Sequence, residues 1–301
     1  MTLTTEQPGE APGRTAATGQ GRWGGVLREL LRTRRAMVGI LLILALILMA
    51  WIGPLISPWE MGERDFTAFR SGPSPEHWFG TDNTGRDVFT LTMVGLQKSI
   101  IIGLLVAVLS TAVAAVVGAF AGYFLGLTDK ALMWVTDLAL VLPSFLILAI
   151  LYPSLKDSGW IMFVLLLAAF MWMVTAKMVR GMTISLKERE YVLAARYMGV
   201  PAWRIIFRHI IPNMASLLIV DATINVSSAI ITETSLSYFG FGVQPPDVSL
   251  GSLIALGAPQ ALAFWWMFAF CTGLLVVLVL AVNLIGDGLR DALDPQAKRR
   301  S

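Results

Sequence analysis

Six long hydrophobic runs dominate the chain, and polar stretches separate them. Each run contains roughly 20 residues, the length at which an α-helix crosses the ~30 Å hydrocarbon core of a membrane. Lipid offers no partners to open backbone groups, and the runs do not alternate as β-barrel strands do, so helices are predicted. The expected fold is an all-α integral membrane protein. Its six transmembrane helices are predicted at approximately Met37–Ile56, Ile100–Leu125, Ala131–Tyr152, Trp160–Met178, Met214–Ile231 and Phe264–Ile285.

The composition agrees with a membrane protein. The chain is 56% hydrophobic and only 14% charged, with a mean hydropathy of +0.70. Soluble domains carry about 25% charged residues, so an ordinary soluble protein is excluded. Two histidines and one cysteine exclude a Cys/His metal cluster and an internal disulfide. Frequent glycines and alanines between Gly103 and Gly126, in the second run, predict close helix packing.

Lysine and arginine are unequally divided between the two sides of the predicted helices. If the N-terminus is cytoplasmic, 18 of the 23 basic residues fall on the inner side. The positive-inside rule therefore predicts that both termini are cytoplasmic. Residues 179–213, here named the inner loop, then face the cytoplasm. The first outer segment (Ser57–Gln97) and the second outer segment (Glu233–Ala263) face the opposite side.

The inner loop is charged, and its residues predict two short helices joined by a turn. Thr183 or Ser185 is expected to cap the first helix, which is predicted across Lys187–Met198. Gly199 suits a left-handed helix end, and Pro201 suits the first turn of the next helix.

The second helix of the inner loop is predicted to be amphipathic. Apolar residues recur at spacings of three and four, arginines occupy another face, and Pro212 is expected to end the segment. One interpretation is a helix that lies on anionic lipid, and the other is a surface that binds a soluble partner. The apolar residues are Trp203, Ile206, Phe207 and Ile210, and the arginines are Arg204 and Arg208.

The inner loop resembles the conserved cytoplasmic loop, the EAA motif, of binding-protein-dependent ABC importer permeases. That motif reads Glu-Ala-Ala, three residues, Gly, nine residues, Ile, any residue, Leu and Pro. Glu190 lies one turn before the motif's Glu position and is the candidate substitute for it. In register are Ala194, Ala195, Gly199 and Pro212, whereas Leu193, His209 and Ile211 replace the motif's Glu, Ile and Leu.

Three further segments resemble the C-type permease subunits of dipeptide, oligopeptide and nickel importers. Gly80–Asp87 is similar to that subgroup's signature Gly-Thr-Asp, two residues, Gly-Arg-Asp. Ile231–Pro246 resembles the segment after the fifth span, and Gly286–Pro295 resembles the C-terminal ending. Because these segments are spread over most of the chain, the resemblance is specific when they are taken together.

The resemblance implies a multi-pass permease of a type I ABC importer in the plasma membrane of a prokaryote. It implies a second permease subunit, two cytoplasmic ATPase subunits and an extracytoplasmic substrate-binding protein as partners, in a lipid bilayer and without nucleic acid. The chain contains no P-loop phosphate cradle, so ATP and Mg are expected on the ATPase subunits, and no cofactor, metal or catalytic residue is expected here. The implied division is a disordered cytoplasmic tail (1–25), a basic segment with the first transmembrane helix (26–56), an extracytoplasmic loop (57–97), a permease transmembrane domain (98–291) with its cytoplasmic coupling loop (179–213), and a cytoplasmic tail (292–301).

Three groups of residues are candidates for function. The inner-loop group is expected to couple to the ATPases. A second group contains intramembrane polar residues, which are candidates for the substrate pathway or for hydrogen bonds between helices. A third group is expected to form a charge-assisted network or a docking site outside. Asp137 is a further intramembrane candidate for a substrate role, and its alternative is a pair with a basic neighbour. The inner-loop group contains Glu190, Ala194, Ala195, Arg196, Gly199, Pro201, Arg204 and Pro212. The intramembrane group contains Asp221, Asn225 and Glu233. The outer group contains Asp82, Arg86, Asp87 and Gln244.

Two other functions compete with a peptide importer. A stand-alone secondary transporter would need ion-coupling acids at the middle of the membrane and inverted repeats, and neither is evident in the sequence. The same ABC machinery importing nickel or another small solute stays open, because the binding protein normally selects the cargo.

Overall fold

The computed structural model describes residues 30, 33–154 and 159–293, so the predicted tail 1–25 and most of the tail 292–301 lie outside them. Within those ranges the fold is helical, with one isolated bridge between Thr81 and Asp87. The helices are α1 (Arg34–Ile56), α2 (Val88–Phe124), α3 (Gly126–Val141), α4 (Ser144–Leu151), α5 (Trp160–Met171), α6 (Met173–Leu186), α7 (Glu190–Tyr197), α8 (Ala202–Ile205), α9 (Ile211–Asn213), α10 (Ala215–Tyr238), α11 (Leu250–Gly257) and α12 (Trp266–Leu293).

The third and fourth predicted spans are each broken into two helices, where the sequence predicted one. Helices α3 and α4 meet at 81°, and α5 and α6 meet at 47°. Pro143 explains the first break, because it lacks an N–H and forces Leu142 into an extended conformation with ψ 130°. The second break, at Trp172, contains no proline. Helices α1, α2, α10 and α12 are long and apolar enough to cross a membrane, and the bent pairs bring the number to up to six.

Polar side chains cap the starts of two helices in the outer segments, where the sequence predicted no helix. Helix α2 begins at Val88, well before the predicted start, and Asp87 Oδ2 accepts the backbone N–H of Thr90 at 2.8 Å. The second outer segment contains a separate helix, α11, whose first turn is closed by a capping box between Ser249 and Ser252. Both outer segments are therefore more ordered than hydropathy alone predicts.

Helix α2 packs very closely along α6. A Cβ added to Gly118 would lie 2.4 Å from the carbonyl oxygen of Ala176, and one added to Gly122 would lie 2.6 Å from that of Arg180. These distances confirm the predicted packing role of the small residues in the second run. Helix α2 also contacts α1, α5, α10 and α11, so it lies at the centre of the helical bundle.

We predict that Gly118→Ala destabilises the protein by about 1–3 kcal/mol, because the new methyl group collides with the backbone of α6. Gly273→Ala is the matched control, since nothing lies within 4 Å of a Cβ at that helical position. Thermal unfolding of the purified protein in detergent measures both. Equal unfolding temperatures for the two variants would contradict the packing argument.

Candidate functional site

The inner loop forms two short helices joined by a tight turn, as the sequence predicted. Val200 N–H donates to the carbonyl of Ala195 at 3.1 Å, and Gly199 N–H donates to that of Arg196 at 3.0 Å. This pair of bonds is a Schellman motif, which requires a left-handed residue after the helix. Gly199 supplies that residue with a φ of +77°. Pro201, in an extended conformation, is the N-cap of α8.

The boundaries of the two inner-loop helices differ from the prediction. Thr183 and Ser185 do not cap the first helix, because both lie inside α6, and α7 begins only at Glu190. Pro212 does not end the second helix. It stands at the start of α9, where the missing N–H of proline is tolerated, and α8 reaches it through a π-helical turn, Ile206–Ile210.

The buried side of the second helix is also different from the predicted one. Ile205, Ile206 and Ile210 are completely buried, whereas Trp203 and Phe207 are exposed. The π-helical turn holds one more residue than an α-helical turn, so the buried stripe does not follow the predicted 3.6-residue period. The isoleucines join a cluster with Ala119 of α2 and Val179 of α6, and the same cluster includes Val192, Ala195 and Met214.

An exposed apolar and cationic surface surrounds the turn, and we name Tyr197, Met198, Gly199, Trp203 and Arg204 the coupling surface. Tyr197 is 88% exposed and Met198 is 76% exposed. The guanidinium carbon of Arg204 lies 5.3 Å from the centre of the Trp203 ring. Large apolar side chains displayed in this way mark an interaction site. Tyr197 and Met198 were not among the residues predicted from the sequence, although their position next to the predicted turn is a signal for them.

The other predicted coupling residues divide between the surface and the core. The side chain of Ala195 is buried in the cluster, so it holds the loop together and does not face a partner. Leu193, at the motif's Glu position, is half-buried, and Glu190 is exposed in the first turn of α7. The remaining exposed members are Ala194, Arg196, Pro201 and Pro212.

Asp221 forms a polar contact between helices, which was one of the two predicted alternatives, and Asn225 joins this contact from the same helix as Asp221. Thr175 Oγ1 of α6 donates to Asp221 Oδ2 at 2.7 Å, and Asn225 Nδ2 donates to the same oxygen at 2.9 Å. Both side chains are half-buried. The contact therefore ties α6 to α10 while it leaves part of each polar group accessible.

Glu233 was a candidate for the substrate pathway or for hydrogen bonds between helices, and the structure buries it. Its side chain is completely inaccessible, and Oε1 accepts hydrogen bonds from Ser237 at 2.7 Å and Ser249 at 2.6 Å. The burial arises because α11 folds over it, and a Cβ on Gly251 would lie 2.9 Å from Oε2. In this conformation Glu233 connects α10 to the capped start of α11.

Asp82 organises the Gly80–Asp87 loop. Its Oδ1 accepts the N–H and Oγ1–H of Thr84, each at 2.7 Å, and the N–H of Arg86 at 3.0 Å. Its Oδ2 accepts the Arg86 Nε–H at 2.8 Å. Burial works to raise the pKa of Asp82, but the donors from Arg86 and Thr84 together outweigh it and hold the pKa below its ordinary value. The predicted network is thus present between Asp82 and Arg86.

Asp87 pairs with a histidine and not with Arg86. His77 Nδ1 lies 3.0 Å from Asp87 Oδ1, and His77 Nε2 lies 3.5 Å from Asp65 Oδ2. The imidazole stacks on Trp59 with ring centroids 4.5 Å apart. Because Asp87 also caps α2, this group of residues fixes the first outer segment to the end of the central helix. His77 was not among the residues predicted from the sequence.

The second outer segment is held by contacts with α2 and with the turn that follows α4. Lys98 Nζ of α2 lies 2.8 Å from Asp247 Oδ1 and 4.4 Å from the centre of the Trp160 ring. The hydroxyl of Tyr152 donates to the carbonyl of Gly242. Gln244 Nε2 donates to the carbonyls of Gly240 and Gly242, each at 3.1 Å, and so turns back on its own loop.

Comparisons with known proteins identify similar sequences over most of the chain. Residues 114–299 match the family model of the binding-protein-dependent transport system inner membrane component, and residues 21–73 match the N-terminal TM domain of oligopeptide transport permease C. The oligopeptide transport system permease protein OppC of Mycobacterium tuberculosis H37Rv is 52% identical over 274 residues, which is 91% of this chain and 94% of the relative. OppC of Bacillus subtilis is 35% identical over 277 residues, 92% of this chain and 90% of the relative.

We predict that Asp82→Asn increases hydrogen exchange at the amides of Thr84 and Arg86 by about tenfold or more. The substitution removes a buried, charged acceptor whose loss costs roughly 1–3 kcal/mol. Glu76→Gln is the matched control, because Glu76 is an exposed residue of the same segment. Unchanged exchange in Asp82→Asn would show that the carboxylate does not organise the loop.

The same loop should respond to acid in a defined direction. Because the folded pKa of Asp82 lies below its ordinary value of 3.8, the stabilisation is complete above that pH. It is lost progressively as the pH falls from that value through the lower folded value. Hydrogen exchange measured down a pH series should show this loss in the wild type and not in Asp82→Asn.

Proposed function

Because this chain belongs to the family of binding-protein-dependent transport system inner membrane components, we propose that it is a permease subunit of an ATP-driven ABC importer of peptides. The observation that carries this proposal is the similarity to oligopeptide permeases over about nine tenths of the chain. The exposed coupling surface supports it, since a permease without its own ATPase site needs a surface on which an ATPase can act.

The proposed assembly contains two permeases, two cytoplasmic ATPases and an extracytoplasmic binding protein. ATP and Mg belong to the ATPase subunits, and this chain hydrolyses nothing by itself. In this arrangement the chain has six spans and both termini in the cytoplasm of a prokaryotic cell. The excess of basic residues on the inner side supports that orientation.

The inner loop transmits the ATPase movement to the spans. An ATPase that holds the coupling surface displaces α7 and α8 together, because the Schellman turn fixes the two helices to each other. The buried cluster then carries this displacement to α2 through Ala119 and to α6 through Val179. Interfaces of this kind switch between discrete packings, so a movement of the loop becomes a change in the tilt of the spans.

The residues of the inner loop have different roles in this mechanism. Tyr197, Met198 and Trp203 provide apolar contact area for the ATPase, and Arg204 and Glu190 provide charges of opposite sign. Ala195 allows close packing inside the loop, and Gly199 permits the turn. The outer segments face the binding protein, and the rigid Asp82 loop and Gln244 belong to the surface on which it docks.

The direct test is reconstitution with and without the partners. Vesicles that contain the whole complex should accumulate labelled oligopeptides only when ATP and the binding protein are supplied. Vesicles that contain this chain alone should accumulate none. Uphill uptake by the chain alone would establish a secondary transporter, and ATP-driven uptake of nickel without peptide uptake would establish the other cargo.

We predict that Gly199→Arg lowers peptide-stimulated ATPase activity of the reconstituted complex at least tenfold. The substitution places an L-residue at a φ of +77°, which costs roughly 1–2 kcal/mol, and adds a long side chain at the centre of the coupling surface. Gly181→Arg is the matched control, because Gly181 is exposed on α6, has open space around it and has no positive φ. Wild-type stimulation in Gly199→Arg would show that the ATPases act elsewhere.

A further inference from the structure

An ion pair lies on the uncovered side of α3 and α6. Lys177 Nζ is 2.5 Å from Asp137 Oδ1, which confirms the basic neighbour expected for Asp137. At 1.5 Å per residue, Asp137 is about 16 Å along α3 from its first residue, and Lys177 is about 14 Å from the end of α6. Both helices belong to segments that are apolar enough to cross a membrane as bent pairs. Because the inner loop begins at residue 179, two residues after Lys177, the pair is expected at the inner end of the transmembrane region.

The two side chains are not covered by the rest of the described chain. Asp137 is 57% exposed and Lys177 is 47% exposed. Helix α3 buries a single residue, Thr136, so almost its whole surface is open. Charged groups within or at the end of a span avoid hydrocarbon and turn toward water or other protein groups. In the proposed complex the open side of the pair is available to the inner end of the transport passage or to the second permease.

The pair is not needed to hold the two helices together. Arg180 of α6 donates two hydrogen bonds to Asp129 of α3, at 2.5 and 2.6 Å. Those side chains are better covered, with 34% and 13% of their surfaces exposed. A bidentate arginine–carboxylate pair is the stronger and more specific link. The exposed pair of Asp137 and Lys177 thus connects α3 and α6, which Asp129 and Arg180 already hold together.

An exposed ion pair separates at little cost. Exposed pairs contribute about 0–1 kcal/mol, because water replaces much of the attraction. A ligand that brings one positive and one negative group can therefore take the place of the internal partner at each side chain. A peptide with free ends carries these two groups, an ammonium and a carboxylate, whatever its sequence is.

We propose that Asp137 and Lys177 form a binding site for the charged ends of the transported peptide, with Asp137 taking the ammonium and Lys177 taking the carboxylate. This inference rests on the proposed function and adds to it a site within the passage. It accounts for an ion pair that the packing of the helices does not require. It also makes the interaction independent of the peptide's side chains.

The experiment compares the complete reconstituted complex, containing wild-type or variant chain, with three labelled peptides of one sequence. One peptide has free ends, one is acetylated at the N-terminus, and one is amidated at the C-terminus. The binding protein is unchanged throughout, so its own preference cancels in the ratio of variant to wild type. Uptake of the free peptide by the wild type tests the proposed function separately, and its absence would remove both proposals.

Lys177→Gln should lower uptake of the free and acetylated peptides about tenfold, and that of the amidated peptide less than twofold. Asp137→Asn should give the opposite pattern, with the acetylated peptide nearly unaffected. Lys177→Arg, which keeps the charge, should restore the wild-type ratios. The control Arg180→Gln, which weakens the structural pair, should change uptake of all three peptides by the same factor.

Two results would overturn the inference. One is an equal effect of Lys177→Gln and Asp137→Asn on all three peptides. The other is loss of the second permease from the purified complex in both variants, which would mean that the pair is a contact between permeases. The two variants are tested independently, so if one of them folds poorly, the uptake pattern of the other still tests the proposal.

Discussion

The close approach of α2 and α6 is the contact on which the rest of the structure depends. It exists because Gly118 and Gly122 present bare backbone to the carbonyls of Ala176 and Arg180. In a membrane the hydrophobic effect does not drive helices together, so close van der Waals packing must do so. With α6 fixed against α2, Arg180 reaches Asp129 and Val179 reaches the inner-loop cluster.

Helix α2 connects the first outer segment with the inner loop, the two regions that act in the proposed transport mechanism. Its first turn is capped by Asp87, which also binds His77, and its last quarter contributes Ala119 to the cluster below the inner loop. A helix of 37 residues is about 55 Å long, so one rigid element spans both regions. In the proposed importer, movement of the inner loop and rearrangement of the outer segments are therefore linked through a single helix.

The polar groups of the bundle differ in how completely this chain satisfies them. Asp221 is bound by Thr175 and Asn225, and Glu233 by two serine hydroxyls. These contacts hold parts of this chain together, because both partners in each hydrogen bond come from this chain. Asp137 and Lys177 keep about half of their surface open. Intramembrane charge that a chain leaves uncovered is the part most open to a ligand or partner.

The sequence by itself determined the helical class, the approximate positions of the apolar spans, the packing role of the glycines in α2 and the turn at Gly199. These features follow from local properties: the length of an apolar run, the absence of a side chain and the tolerance of glycine for a positive φ. The sequence also brought Asp82 and Arg86 together, since they are only four residues apart. The exposed residues at the turn could be found from their position beside Gly199.

The tertiary structure alone decided which of these residues are covered. It buried Glu233 under α11, turned Trp203 and Phe207 outward, and paired Lys98 with Asp247. Each outcome depends on groups that are far apart along the chain or on a π-helical turn that shifts the helical period. Local propensity does not encode such contacts, because they form only when helices have packed and competing partners have been excluded.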